Sequence, residues 1–237
     1  MNSYRDRIVP AAALTQAPVA PYARHYTLRL PDGDWLQLPL MPLPPEMTSA
    51  IVSLCITEAS FELEDRLSSA MTTLARTLTP EIVVGMPTQG LVLAASVARK
   101  LGHVHYVPLS YSRKFWFDDA LCVELNSVTS PGAPKKVYLD PLLLERLQDR
   151  RVVLIEDVIS TGTTVLAQLA LMAKIGARVV GIVTAMQESR CWKQRLTMTC
   201  PEPPPVLSVL RAPLFRSGPD GWMPDPATDP AVEAVHA

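Results

Sequence analysis

The residues best suited to chemistry lie in one segment, 152–164, whose sequence is VVLIEDVISTGTT. Its first four residues predict a buried strand, and the adjacent acids Glu156 and Asp157 follow directly. Two carboxylates at the end of a strand can accept hydrogen bonds from sugar hydroxyls and help to hold a hydrated Mg²⁺ ion. The same residues could also form a strand that ends in a polar turn without a chemical role.

The second half of this segment is typical of an anion site. It supplies four hydroxyl groups and one glycine just before a predicted helix. Backbone N–H groups at a helix N-terminus carry the positive end of the helix dipole, and glycine lets the backbone approach a ligand closely. We therefore expect a phosphate group to bind at Ser160, Thr161, Gly162, Thr163 and Thr164.

The elements that position this segment predict an α/β fold with a parallel sheet. Short apolar runs predict strands at 81–84, 103–109, 137–139, 151–155 and 179–183. Helical periodicity lies between them, at 61–78, 91–101 and 162–175. This alternation indicates βαβ units, and ligands bind at the carboxyl edge of such sheets.

Proline divides the chain into three parts. Eight of the 23 prolines lie in residues 1–48, six in 49–200 and nine in 201–237. Because dense proline excludes helices and central strands, we predict a frayed N-terminus at 1–21, a domain at 22–200 and a tail at 201–237 that wraps the surface or is partly disordered. Within the first part, alternating residues on either side of a Pro-Asp-Gly turn predict a β-hairpin over 26–40.

Composition excludes several classes of protein. The net charge of −1 argues against a nucleic-acid binder that works through bulk positive charge. No apolar run reaches the ~18–20 residues that span a bilayer, so we expect no membrane partner. Four cysteines without metal-ligand spacing fit a reducing, cytoplasmic location.

The ordered motif at 152–164 resembles the ribose-phosphate signature of the type I phosphoribosyltransferases. A likeness to the adenine-type members in particular comes from residues 113–114 and 187–188, which are described below. The wider resemblance runs from about residue 81 to about residue 196. It implies a doubly wound parallel sheet with a small hood, which we assign in part to the N-terminal hairpin. It also implies Mg²⁺ as cofactor, with Glu156 and Asp157 as the catalytic acids that reach the metal through water, and residues 160–164 as the loop for the 5′-phosphate.

The resemblance assigns further residues to pyrophosphate. In that family a loop after the first core strand binds pyrophosphate through backbone amides, and Thr88, Gln89 and Gly90 hold that position here. Taken alone, this loop could equally be a plain connection between a strand and a helix. Arg113 and Lys114 resemble an Arg-Lys pair that meets pyrophosphate, in some cases in a neighbouring subunit's site, although they could also be a solvated basic turn.

Two other stretches match the family by position. Residues 123–136 correspond to a long loop that closes over the bound substrate. Residues 184–192 correspond to the loop near the acceptor base, where Gln187 and Glu188 resemble the adenine-type relatives and the lysine of the 6-oxopurine enzymes is missing. The aromatic residues beside Arg113 and Lys114 are typical of an interface, and the resemblance implies a dimer, because related enzymes commonly dimerise at this segment. We therefore predict a homodimer through this segment.

The function implied is transfer of the 5-phosphoribosyl group of 5-phosphoribosyl 1-pyrophosphate (PRPP) to a nitrogenous base, with adenine favoured, and release of pyrophosphate, as in purine salvage. One alternative is a PRPP-sensing regulatory protein of the same fold, which would require a basic face or an added nucleic-acid-binding domain. Another is a partner-binding protein with a vestigial site, which the intact acids and hydroxyl-rich loop oppose.

Overall fold

The computed structural model describes residues 6–125 and 135–230. Within these residues the chain forms four α-helices, α1 (Phe61–Thr77), α2 (Gln89–Leu101), α3 (Thr163–Lys174) and α4 (Cys191–Thr199). The strands are β1 (Arg7–Val9), β2 (His25–Arg29), β3 (Trp35–Pro42), β4 (Ser49–Val52), β5 (Ile82–Gly85), β6 (Val107–Pro108), β7 (Cys122–Leu125), β8 (Lys135–Tyr138), β9 (Arg151–Ile159), β10 (Arg178–Glu188), β11 (Val206–Ala212), β12 (Phe215–Gly218) and β13 (Gly221–Pro224). Short 3-10 helices lie at Ala11–Ala13, Ile56–Glu58, Asp119–Leu121 and Pro141–Arg146.

The central sheet has five parallel strands in the order β11-β10-β9-β5-β6. β9 is its middle strand, and the helices α2 and α3 follow the carboxyl ends of β5 and β9. Each helix therefore begins at the same edge of the sheet, which is the edge where ligands bind in such folds. The predicted α/β fold with a parallel sheet of five strands is confirmed.

A second, antiparallel sheet is built from both ends of the described chain. Its order is β1-β3-β4-β12-β13, with β2 paired to β3 in the predicted hairpin. Two backbone hydrogen bonds between Tyr22 and Trp222 link the segment before β2 to β13 at the far edge. The segment before β2 is thus joined to the last strand, so that β2, β3, β4, β12 and β13 follow one another around this sheet.

The two faces of the parallel sheet pack against different partners. One face contributes Val83, Val153 and Val183 to a core shared with α1, α2 and the second sheet. The other face packs on α3, α4 and the antiparallel ribbon β7–β8. In the part of the chain that the structure describes, no helix combines the length and apolar character that crossing a bilayer requires.

The proline-rich tail is structured over residues 206–224. The prediction that this part of the tail wraps the surface or is partly disordered is wrong. β11 pairs with β10 as an edge strand of the parallel sheet, and β12 and β13 join the second sheet. The prolines cluster at 201–205 and in the following turns, so the runs 206–212 and 214–218 are free of proline and can pair.

The frayed N-terminus is also wrong in part. β1 pairs with β3, and the Trp35 indole N–H donates to the carbonyl of Leu14 at 2.7 Å. A domain boundary at residue 200 therefore does not describe the fold, because both chain ends add strands to its sheets. Residues 1–5 and 231–237 of these two segments lie outside the described residues.

Other strand boundaries differ from the pattern-based ones. The run 103–109 forms only the two-residue strand β6, and 137–139 falls in the ribbon β7–β8 rather than in the parallel sheet. β9 and β10 continue to Ile159 and Glu188, well beyond their apolar runs. Polar residues extend these strands because neighbouring strands pair with them, a stabilisation that a hydrophobic pattern does not register.

Phe215→Ala tests whether the tail belongs to the core. Phe215 is fully buried, and its ring packs edge-on against two tyrosines. The ring centroids are 5.0 Å apart for Tyr26 and 5.9 Å apart for Tyr22. Loss of a buried phenylalanine leaves a cavity and costs about 3–5 kcal/mol. Urea denaturation should show this loss for Phe215→Ala and almost none for Phe61→Ala, whose side chain is 92% exposed. Equal effects of the two variants would contradict the packed tail.

Candidate functional site

The acid pair lies inside the central strand rather than after it. β5 ends at Gly85, opposite Ile155 of β9, so Glu156 and Asp157 are the first residues of β9 to project beyond that neighbour. Glu156 is buried, whereas Asp157 is partly exposed. The two carboxyls thus occupy the carboxyl edge of the sheet, at different depths.

Burial controls the protonation of this pair. Desolvation raises the pKa of Glu156 well above its usual value, and the neighbouring charge of Asp157 adds to the rise. The two side chains hydrogen-bond to each other, and the buried Gln168 amide of α3 donates to Glu156 Oε1. Desolvation raises the pKa of Asp157 as well, but the rise at Glu156 is the larger, so Glu156 holds a proton more tightly than Asp157.

The hydroxyl-rich loop leads directly into α3. Gly162 has a φ of 78°, in the left-handed region, and forms the N-cap without a side chain that could occupy the helix end. The first helical bond runs from Leu166 N to Gly162 O, so the N–H groups of the preceding turn are left for an external acceptor. Thr161 and Thr163 bring their hydroxyl oxygens to 3.1 Å of each other beside this turn. Thr164 follows as the second residue of the helix, and Ser160 is the first residue after β9.

The predicted pyrophosphate loop is shorter than its sequence suggests, because α2 already begins at Gln89. A Cβ atom at Gly90 would lie 2.9 Å from the Ile155 carbonyl oxygen and 3.4 Å from Glu156 Oε2. The first turn of α2 therefore rests on β9 at the acid pair, and only glycine allows this approach. Thr88, the N-cap, is exposed and follows a cis peptide bond from Pro87.

The Gln89 side chain makes a contact outside the predicted pyrophosphate site, for which the sequence assigned only backbone amides. Its side-chain oxygen accepts a hydrogen bond from the backbone N–H of Ile56, in the 3-10 helix after β4. The structure thus places Gly90 beside Glu156, while the Gln89 side chain ties α2 to the segment that leaves the second sheet.

Tyr111 is a site residue that sequence reasoning missed. Burial raises the pKa of Tyr111 to about 12, and the charges of Glu156 and Asp157 contribute to the rise. The Lys135 ammonium lies 5.7 Å from the centre of the Tyr111 ring. Nothing in the local pattern distinguishes this tyrosine, because its proximity to the acids arises only when the turn after β6 folds towards β9.

Arg113 and Lys114 do not join this cluster within the chain. Arg113 donates to Asp119 Oδ1 at 3.1 Å and to the carbonyl of Phe117. Lys114 is exposed, and beside it the Phe115 side chain is 91% exposed. Of the predicted closing loop at 123–136, the ends lie in the ribbon β7–β8, and 126–134 lie outside the described residues.

Most of the predicted base-contacting loop at 184–192 is regular structure. Residues 184–188, with the buried Gln187 and Glu188, belong to β10, and α4 begins at Cys191. Glu188 Oε1 accepts the backbone N–H of Val52, at the end of β4, at 2.8 Å. The Glu188 carboxylate also accepts a hydrogen bond from the side chain of Ser160. Glu188 thus connects the second sheet to the hydroxyl-rich loop.

The acid pair has the donor chemistry that Mg²⁺ prefers. Magnesium binds oxygen ligands, keeps several waters and uses one or two carboxylates together with substrate phosphates. Among residues 6–125 and 135–230, no group of three or more His, Cys, Asp or Glu side chains gathers into a metal site. Glu156 and Asp157 therefore suit an ion that arrives with a phosphorylated ligand, rather than one that is caged by the protein.

Comparison with known proteins gives consistent similarities. The family model for the phosphoribosyl transferase domain matches residues 59–203. The adenine phosphoribosyltransferase of Frankia alni is 30% identical over 157 residues, which are 66% of this chain and 74% of that protein. That of Albidiferax ferrireducens is 32% identical over 101 residues, 43% of this chain and 48% of that protein. The chain spans about half the length of the first such curated relatives.

Solved structures support the same fold. Adenine phosphoribosyltransferase from Giardia lamblia, complexed with 9-deazaadenine, superposes with a TM-score of 0.52 at 20% identity, covering 63% of this chain and 80% of that chain. The enzyme from Rhodothermus marinus gives 0.51 at 22% identity, covering 64% and 81%. At such identities the likeness concerns the fold. The strands of the second sheet, at 7–52 and 215–224, lie outside the family match.

Glu188→Gln tests the connection between the second sheet and the loop. Burial raises the pKa of Glu188 to about 7 from 4.5. A carboxyl with a raised folded-state pKa contributes stability that is complete below the unfolded-state value and is lost as pH rises through the folded-state value. The part of the free energy of unfolding that depends on Glu188 should therefore fall by up to about 3 kcal/mol between pH 4.5 and 8. Glu188→Gln should make the pH dependence shallower by that amount, while the raised pKa of Glu156 maintains the rest of the fall.

Urea denaturation at intervals of one pH unit measures this effect. The matched control is Glu145→Gln, which removes an exposed carboxylate at the opposite edge of the sheet and should keep the wild-type profile. Parallel profiles for the wild type and Glu188→Gln would refute the assignment.

Proposed function

The chain belongs to the phosphoribosyl transferase domain family, and from this premise we propose that it transfers the 5-phosphoribosyl group of PRPP to a nitrogenous base. The observation that carries the proposal is the meeting of two helix N-termini at one pair of acids. α2 reaches Glu156 through Gly90, and α3 begins after Gly162 on the same edge. Two positive helix ends separated by carboxylates match a ligand that carries phosphate at both ends of a sugar.

Each part of the site then has a role. The loop of residues 160–164 binds the 5′-phosphate through backbone N–H groups and threonine hydroxyls. Asp157, the more exposed acid, accepts hydrogen bonds from the ribose hydroxyls, while Glu156 fixes its position from below. The first turn of α2, with Thr88, Gln89 and Gly90, receives the pyrophosphate.

Catalysis in this arrangement comes from position and charge. The bond from the anomeric carbon to pyrophosphate breaks as a nitrogen of the base attacks, through a transition state with oxocarbenium character. Mg²⁺, when bound with PRPP near the acids, would neutralise charge on the departing pyrophosphate. The chain's own residues hold sugar and base in line and exclude water, so the protein needs no nucleophile.

We propose a purine, with adenine first, as the acceptor. The proposal is supported by the names of the curated relatives, which are adenine phosphoribosyltransferases. The base would lie where the second sheet meets the carboxyl end of β10, close to Gln187 and the segment 52–56. Glu188, which is turned towards Val52, would shape this pocket rather than contact the base directly.

We further propose a homodimer through residues 113–117. The segment exposes Phe115 almost fully and Trp116 by 47%, beside Lys114 and Arg113. Exposed aromatic residues next to arginine are typical of interfaces. Light scattering at micromolar concentration should give a mass twice that of the chain. The double variant Phe115→Ser with Trp116→Ser should give the mass of a single chain. A fully active wild-type monomer would contradict this arrangement.

Pyrophosphate release tests the function. The protein should release pyrophosphate from PRPP and Mg²⁺ only when a base is present, with the highest kcat/KM for adenine in a panel that includes hypoxanthine, guanine and uracil. A preference for hypoxanthine or guanine would overturn the acceptor alone. PRPP binding without turnover of any base would overturn the transferase and favour the sensing alternative.

Asp157→Asn is the variant that links this activity to the site. Loss of a charged hydrogen-bonding partner typically costs about 1.5–3 kcal/mol, so kcat/KM should fall at least about tenfold. Asp149→Asn is the matched control, because Asp149 is exposed just before β9 begins and has a φ of 59°, which asparagine tolerates. Equal activities of the two variants would exclude the proposed site.

A further inference from the structure

The short helix α4 lies directly behind the hydroxyl-rich loop. Trp192 is buried, and its Cβ lies 3.1 Å from the position that a Cβ atom would take on Gly162. α4 therefore supports the turn whose N–H groups face the ligand. The family resemblance predicts that residues 184–192 lie near the acceptor base, but Trp192 contacts the predicted 5′-phosphate loop instead.

Arg195, on the same helix, reaches the hydroxyl-rich loop at Thr163. It lies three residues after Trp192, so both side chains are on neighbouring positions of one helix face. Its Nη1 atom donates to Thr163 Oγ1 at 2.7 Å. The same hydroxyl oxygen is 3.1 Å from Thr161 Oγ1, so the guanidinium binds one threonine of the predicted phosphate site, and that threonine is within hydrogen-bond distance of a second.

The charge of Arg195 is left without a counterion among the described residues. The ion pairs of the described arginines use Arg66, Arg113, Arg150, Arg151 and Arg216. Arg195 is exposed, and its guanidinium has five N–H donors, of which the bond to Thr163 uses one. An arginine held by a hydroxyl beside an open helix N-terminus is ready for an oxyanion, which it can bind through two parallel hydrogen bonds.

We propose that Arg195 binds the phosphate monoester of the sugar substrate and orients Thr163 towards it. The inference rests on the proposed function and adds a specificity-determining residue to it. Because the Thr163 oxygen accepts from Arg195, its own proton is directed away, to Thr161 or to a bound phosphate oxygen. Arg195 then makes the site favour a phosphorylated sugar over the free sugar.

Ribose 5-phosphate is the probe that isolates this role, since it lacks both pyrophosphate and a leaving group. Calorimetry should show at least tenfold weaker binding to Arg195→Gln than to the wild type, with Arg195→Lys in between, because lysine keeps the charge but loses the planar fork. Arg146→Gln is the charge-matched control, since Arg146 is exposed at the opposite edge of the sheet. Its affinity should equal that of the wild type.

A pH series separates phosphate binding from a merely structural role. The second ionisation of a phosphate monoester lies near pH 6, so wild-type affinity should rise between pH 5 and 7. Arg195→Gln should flatten this rise, whereas a variant that only loosens the loop would lower affinity by the same factor at every pH. In the transferase assay the same variant should raise the KM for PRPP more than it lowers kcat.

The outcomes distinguish the inference from the function on which it rests. Unchanged ribose 5-phosphate affinity in Arg195→Gln, a uniform loss at all pH values, or no wild-type binding of this probe would each overturn the role of Arg195. Failure of the wild type to turn over any base would overturn the proposed transferase. Phosphate-dependent binding that is lost in Arg195→Gln would still support the phosphate role in that case.

Discussion

The contact between α2 and β9 at Gly90 determines the geometry of the whole site. With no side chain at this position, the first turn of the helix lies against the Ile155 carbonyl and the Glu156 carboxyl. Glu156 is buried beside this contact, and its burial is the largest cause of its raised pKa. The same approach brings the positive end of α2 to the edge where α3 also begins, so that two helix N-termini lie at the edge proposed to bind the substrate.

A second close contact that depends on a glycine lies at the start of α3. Gly162 touches Trp192, and this contact fixes the loop before α3 against α4. Because glycine has no side chain, the backbone at Gly90 and at Gly162 can lie close to a neighbouring element. Both positions are next to residues proposed to bind phosphate. The binding groups are therefore mainly backbone N–H groups, whose positions depend on packing beneath them rather than on flexible side chains.

The second sheet completes the site from outside the family match. Its strands come from residues 7–52 and 215–224, and hydrogen bonds from Val52 to Glu188 and from Ile56 to Gln89 fasten it to β10 and α2. The part of the chain shared with the phosphoribosyl transferase domain holds the acids and the phosphate loop, whereas the flanking sheet borders the proposed base pocket. Acceptor choice can therefore differ from that of relatives without change to the phosphate-binding groups.

The sequence by itself determined the features that depend on neighbours along the chain. Periodicity located α1 and the hairpin β2–β3, and the order of acids, hydroxyls and glycine located the loop before α3. These succeed because a helix face, a turn or a strand-to-helix loop is specified by residues within a few positions of one another.

Only the tertiary structure decided the contacts between distant segments. Proline density could not reveal that residues 206–224 pair with strands far earlier in the chain, because pairing depends on the partner and not on local composition. Glu188 looked like a base contact until Val52, which lies 136 positions away, was found to donate to it. Tyr111 and Arg195 illustrate the same point. The packing of separate elements places Tyr111 where the charges of Glu156 and Asp157 act on it, and Arg195 within hydrogen-bond distance of Thr163, and no local pattern encodes these distances.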